Sequence, residues 1–181
     1  KAPSNRGLRL QNGAEVAAMI SGLPEQHYLL SNSGGYGFIA HVGDMISRQR
    51  GGKAFITCNA GETVCAPSSI GGTNGSVPVP EATHIACASA GGRLLTFPIG
   101  ELRTMPNGGR GLMLMSLEDK DVLIGAAAYT RSIRVQGTGR GGKPREETLE
   151  IRSLNNAAAA RGRKGKAADW GFKPQRIRRI E

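Results

Sequence analysis

Arg48-Gln49-Arg50-Gly51-Gly52-Lys53-Ala54-Phe55 sets basic side chains on either side of two glycines, and the mostly apolar run Phe55-Ile56-Thr57-Cys58 follows at once. Glycines permit a tight turn with positive φ, so the stretch reads as a basic turn feeding a strand. Fifty-seven residues on, the pattern returns as Asn107-Gly108-Gly109-Arg110-Gly111 before Leu112-Met113-Leu114-Met115. A third basic glycine turn, Arg161-Gly162-Arg163-Lys164-Gly165-Lys166, follows, with Lys166 lying 56 residues after Arg110. A basic turn repeated at near-constant spacing on a β scaffold implies a rim of positive charge.

The repeat extends beyond the turns. At an offset of 57, His27 falls on His84, Gly34-Gly35 on Gly91-Gly92, Gly43 on Gly100, Gly51-Gly52 on Gly108-Gly109 and Lys53 on Arg110, without a gap. Most matched positions are turn glycines, which tight turns require, so a duplicated supersecondary unit is the inference. Each unit reads as four strands: Tyr28–Leu30, Gly37–Ala40, Phe55–Cys58 and Thr63–Cys65 in the first, and Ile85–Cys87, Leu94–Phe97, Leu112–Met115 and Val122–Ala126 in the second. Four strands in a unit of this length fit a propeller-like blade. The predicted class is all-β, as one domain over 1–181. Its units run over 1–26 (partial), 27–83, 84–130 and 131–181, the last divergent and basic. The chain opens without Met inside a pattern and is read as a fragment of something longer.

Between the units, Ser68–Ser76 is expected to be a surface loop and Val77–Pro80 an extended connector or edge, because proline cannot serve a central strand. Val16–Ile20 has strand length. Tyr129–Val135 is a strand candidate. Pro144-Arg145-Glu146-Glu147 reads as a helix start, with a helix to about Leu154. Ile177 and Ile180, with the arginines between them, suit a closing strand or an ordered tail.

Glycine supplies 27 of 181 residues, roughly twice the usual share, and aromatics are few. The net charge is +10, unevenly spread: residues 1–130 hold ten Lys/Arg against nine Asp/Glu, and residues 131–181 hold fourteen against five. Such asymmetry points to a polyanion, nucleic acid above all. Arg48, Arg50, Lys53, Arg110, Arg140, Lys143, Arg161, Arg163, Lys164, Lys166, Lys173 and Arg176 are the expected DNA-binding residues, because Lys and Arg neutralise phosphates and release counterions. Aromatics rarely alternate with them, which argues against a single-strand stacking platform. No helix-turn-helix or finger pattern appears, so sequence-specific readout is not expected.

Enzyme classes find little support. Gly137–Lys143 resembles a phosphate loop, but Pro144 stands where Ser or Thr is needed. Cys58, Cys65 and Cys87 have neither zinc spacing nor a disulfide framework and read as free thiols in a reducing cytoplasm. No metal site and no catalytic residue are expected. His27 and His84 occupy equivalent positions and read as structural. No signal peptide or membrane span is visible.

Tyr36-Gly37-Phe38-Ile39, the Arg48–Phe55 turn, Leu94–Leu102 and the Gly108–Leu112 turn resemble the repeats of the C-terminal domain of bacterial type IIA topoisomerase A subunits. The resemblance implies a β-pinwheel of about three to four strand-exchanged, four-stranded blades in an open arc. It implies a non-catalytic domain that binds and bends duplex DNA on a basic perimeter. Against the gyrase box Gln-Arg-Arg-Gly-Gly-Lys-Gly, positions Arg48, Gln49 and Ala54 depart, and Met105–Gly111 departs further. The degenerate box and the basic ending resemble the topoisomerase IV branch of the family. That branch implies decatenation and relaxation by a holoenzyme of A and B subunits, near the nucleoid. ATP and Mg would be used elsewhere in that holoenzyme, with no cofactor in this domain and a chromosome-organising protein as a possible partner. A gyrase-type DNA-wrapping domain, a propeller-like protein scaffold and an RNA-binding domain are the alternatives.

Overall fold

A computed structural model describes residues 13–49, 51–74 and 77–180. Strand β1 (His27–Ser31) turns into β2 (Tyr36–His41) through a hairpin in which Leu29 faces Ile39. The Asn32 side-chain oxygen accepts from the amides of Gly34 (3.1 Å) and Tyr36 (3.2 Å) and so closes the turn. Gly35 takes φ +87°, which a residue bearing Cβ would resist. A short helix α1 (Val42–Met45) follows. Then β3 (Ser68–Ser69) pairs with β1, and β4 (Gly72–Asn74) with β5 (Val77–Val79) forms a two-stranded ribbon.

The second unit repeats the hairpin as β6 (His84–Ser89) and β7 (Arg93–Pro98), with Gly92 at φ +82°. A 3-10 turn spans Ile99–Glu101. Next, β8 (Leu112–Met113) leaves its own unit and pairs with β2 of the first, Tyr36 against Met113 and Gly37 against Leu112. Strand β9 (Leu123–Tyr129) returns to pair with β6. In the third unit β10 (Ser132–Thr138) and β11 (Pro144–Glu150) form a hairpin, helix α2 (Ile151–Asn155) follows, and β13 (Lys173–Arg179) pairs with β10. Strand β12 (Lys166–Ala167) crosses to β7, Arg93 against Ala167 and Leu94 against Lys166. The three blades are therefore β3-β1-β2-β8, β12-β7-β6-β9 and β11-β10-β13. The first two each receive their outer strand from the following unit.

Because strand side chains alternate, the β1–β2 and β6–β7 hairpins each feed two cores. Ile85, Cys87, Leu95 and Phe97 face Leu29, Ile39, Leu114 and Met115 between the first two blades. Ala86, Ala88 and Leu94 face Tyr129, Ile133, Val135, Leu154 and Trp170 between the second and third. Each large apolar side chain fully buried there stabilises the fold by about 1.5–3 kcal/mol. The cores lock the blade order that the boxes then decorate.

The all-β, strand-exchanged expectation holds, but several local assignments change. Phe55–Cys58 and Thr63–Cys65 make only isolated bridges, Ile56 with Gly109 and Asn32 with Val64. The predicted Leu112–Met115 strand shortens to two residues because beyond Tyr36 its partner enters the turn at Gly35. Tyr129–Val135 is broken by a bend at Thr130 and Arg131. Val16–Ile20 forms no strand, and Val16 and Met19 stay exposed. The Ser68–Ser76 stretch carries β3 and β4 rather than only a loop. The helix expected from Pro144 is a strand up to Glu150 and only five residues of helix after it. A seven-residue ladder to β10 and the glycine turn at Gly141 (φ +72°) and Gly142 (φ +75°) override the helix-start pattern.

Candidate nucleic-acid interface

The basic glycine turns lie in a chain of contacts from unit to unit. The first turn has Gly52 at φ +75°. Lys53 is exposed, yet its Nζ donates to the Asp44 carbonyl at 2.6 Å and lies 5.1 Å from the centre of the Phe55 ring. Arg48 is exposed, and Arg50 falls outside the described residues. The second turn docks on the segment after the first: Gly109 N donates to Phe55 O (2.8 Å) and Thr57 N to Gly109 O (2.9 Å). The third docks on β8 and the residues beyond it, with Gly162 N donating to Leu114 O (2.8 Å) and Ser116 N to Arg163 O (3.1 Å).

Pairing corrects the spacing read from sequence. Gly37 and Leu94, 57 residues apart, receive Leu112 and Lys166. Lys166 therefore occupies the place of Leu112, and Lys164, not Lys166, occupies the place of Arg110.

Among the expected residues that the structure describes, inward and open cations are distinct. Arg110 points into the protein. Its Nη2 meets Glu62 Oε1 at 2.7 Å, and its guanidinium lies 4.1 Å from the Tyr36 ring centre. Arg161 clamps three groups: its amide reaches Glu101 Oε2 (2.9 Å), its Nε the Glu101 carbonyl (3.1 Å) and its Nη1 the Met113 carbonyl (2.6 Å). These two arginines fasten adjacent units together. By contrast Arg48, Arg140, Lys143, Arg163, Lys166, Lys173 and Arg176 are exposed, and none meets a carboxylate among the described residues. Lys164 is exposed and lies 3.8 Å from Glu118.

Most of these open cations belong to the third unit. Arg140 and Lys143 sit at the tip of the β10–β11 hairpin. Lys173 pairs with Thr138 at the same end, and Arg176 pairs with Gln136 further along. Exposed Arg145, Arg152 and Arg178 join them. The sequence signal for those three was the charge of the last third, not any motif. Arg179, by contrast, turns inward onto the carbonyls of Ile70 (3.3 Å) and Pro80 (2.6 Å).

The histidines make contacts within the fold, and the three thiols are partly or fully buried. The His27 and His41 rings meet at 4.1 Å, tilted by 46°, and His41 Nδ1 meets Asp44 at 3.1 Å. His84 bonds Thr83 at 2.8 Å and packs on Tyr129. Burial pushes the Cys65 thiol up to about 11 and raises Cys87 further. Partial burial, with Glu62 nearby, raises Cys58. All three thiols are free. Among the described residues no cluster of His, Cys, Asp and Glu is suited to a metal ion, and no helix is long and apolar enough to cross a membrane.

Three blades joined by strand exchange, with a basic glycine turn at each handover, form a β-pinwheel, the fold class of the solved gyrase A and ParC C-terminal domains. Residues 83–129 match the family described as DNA gyrase C-terminal domain, beta-propeller. Within that class the chain is similar to the A subunit of topoisomerase IV. It is 41% identical over 165 residues to the DNA topoisomerase 4 A subunit of Neisseria gonorrhoeae, covering 91% of this chain and 21% of that one. Identity to the corresponding protein of Escherichia coli K12 is 29% over 176 residues, covering 90% and 22%. The chain thus spans about a fifth of the length of the curated relatives it matches. The solved E. coli ParC C-terminal domain superposes with a TM-score of 0.75 at 25% identity, over 94% of this chain and 66% of that one. A DNA gyrase A C-terminal domain shares the fold with a TM-score of 0.67 at 16% identity, over 92% and 54%.

Proposed function

We propose that this domain binds and bends duplex DNA through its open cations, as the non-catalytic C-terminal part of a topoisomerase IV of which it forms a portion of the A subunit. The observation that carries this is the set of exposed, unpaired Lys and Arg side chains on the third unit. They sit on a rigid β scaffold, at the hairpin tip, on β13 and in the third glycine turn. Cations held at fixed spacing can follow a phosphate backbone without reading bases. Aromatic stacking platforms are missing from this set, which favours duplex over single strands. The two inward arginines stiffen the joints between blades, so the scaffold can impose curvature on DNA. DNA cleavage, ATP and Mg chemistry would belong to the remainder of the A subunit and to its B counterpart. Decatenation and relaxation near the nucleoid would be the whole enzyme's work, in the cytoplasm. The topoisomerase IV branch is favoured over gyrase because relatives matched across nine-tenths of the chain carry that name.

The test is energy transfer between dyes on the two ends of a short duplex. Binding should raise transfer, and double-stranded RNA should compete poorly. Binding without a change in end-to-end distance would remove the bending claim, and preference for RNA would remove the DNA claim.

A further inference from the structure

In each incoming basic turn the cation at the place of Arg110 faces a carboxylate of the preceding unit. For the second turn it is Glu62, whose side chain is 16% exposed and holds Arg110, itself 27% exposed. For the third turn it is Glu118, 49% exposed, which meets Arg93 Nη2 at 2.7 Å and lies 3.8 Å from Lys164 Nζ. The two carboxylates differ in place and in environment: Glu62 N donates to Asn59 O as Asp121 N donates to Glu118 O, so Glu118 stands where the first unit has Asn59. The first is an interior fastener. The second stands at the surface, among the cations proposed to hold DNA.

Glu118 is held there by its own turn. Asp121 N donates to Glu118 O at 3.0 Å, and Asp121 Oδ1 accepts from Gly91 N at 2.7 Å, which ties the turn to the β6–β7 hairpin. Lys120 adopts φ +62° within it. Arg93 Nη1 reaches the Gly165 carbonyl at 3.4 Å, so carboxylate, guanidinium and basic turn form one network. A fixed negative charge inside a phosphate-binding surface neutralises cations that a phosphate would otherwise use. It also repels the phosphate directly.

We propose that Glu118 weakens the nucleic-acid surface, so that Arg93 and Lys164 contribute less to DNA binding than their positions allow. This rests on the DNA-binding reading above. Exposed ion pairs contribute little to stability, so the carboxylate can be neutralised without unfolding the blade. A Glu118→Gln amide still accepts the Arg93 hydrogen bond, which separates loss of charge from loss of position.

The experiment measures duplex DNA binding across salt for wild type, Glu118→Gln and Glu62→Gln, with a thermal melt of each. Glu118→Gln should bind about two- to ten-fold tighter at low salt, with a slope steeper by about 0.9 as one more phosphate is neutralised, and should melt with wild type. Glu62→Gln should melt lower and show no tighter binding. Unchanged or weaker binding by Glu118→Gln, while wild type shows a clear salt slope, overturns the inference alone. Wild type without salt-dependent DNA binding overturns the DNA reading itself and this inference with it.

Discussion

Replacing Arg110 with alanine separates a structural arginine from a phosphate contact. The side chain carries a charged hydrogen bond to Glu62 at 2.7 Å and lies 4.1 Å over Tyr36. A hydrogen bond between charged groups contributes about 1.5–3 kcal/mol, and stacking of a partly buried guanidinium about 0.5–2 kcal/mol. Both partners keep some solvent contact, so the lower parts of these ranges apply. Together they give about 2–4 kcal/mol. Truncation also strands Glu62, packed against Gly34, with only the Asn59 amide at 2.7 Å to hold it. For a domain of this size each kcal/mol shifts the melting temperature by about 2–4 °C. Arg110→Ala should therefore melt roughly 4–16 °C below wild type. Its salt slope for duplex DNA should stay unchanged, because the guanidinium is already committed. Thermal melts and salt-titrated binding read the two effects apart, and a double-mutant cycle with Glu62→Ala gives the coupling directly. A melt close to wild type combined with a slope shallower by about 0.9 would refute the inward assignment and return Arg110 to the DNA surface.

Two further outcomes follow from the same geometry. Gly111 has φ +84°, and a Cβ there would press on the Gly37 carbonyl at the β2–β8 handover, whereas nothing lies within 4 Å of a Cβ on Gly51. Gly111→Ala should lower stability by about 2 kcal/mol or more and Gly51→Ala by little, in chemical denaturation of each. The Cys65 thiol ionises at about 11, above the 9.0 of an unhindered thiol. The folded state therefore holds its proton where the unfolded chain has lost it, and this contribution to stability falls as pH rises from about 9 to about 11. Alkylation should accordingly modify Cys58 first, and Cys65 and Cys87 only on unfolding. Rapid modification of Cys87 in the folded protein would contradict its burial.

The turn glycines made the blades legible. Gly35 and Gly92 share positive φ at the offset read from the sequence, and the hairpins they close lie where the repeat puts them. The handover pairing was not legible. Leu112–Met115 reads as a strand, but the residues do not display that its partner is β2 of another unit. The direction of each arginine was hidden for the same reason. Arg110 turns inward because of Glu62, 48 residues away, and Arg161 because of Glu101, 60 residues away. Charge counts register how many cations a segment holds, not which of them a distant carboxylate or carbonyl has already taken. The acids of Pro144–Glu150 misled for a local reason. Glu146 serves Arg134 at 3.4 Å and Gln136 at 3.0 Å across the ladder, a use that the order of residues along the chain does not display.

The central claim is that open cations of the third unit carry the DNA. The most direct measurement is the salt dependence of duplex DNA binding for wild type and the Arg163→Ala/Lys164→Ala/Lys166→Ala triple variant. The account predicts tight, sequence-indifferent binding with a steep slope. With Lys164 already opposed by Glu118, loss of the two open contacts at Arg163 and Lys166 should make that slope shallower by about 1.8 in the variant, at an unchanged melting temperature. A variant that keeps the wild-type affinity and slope would contradict it.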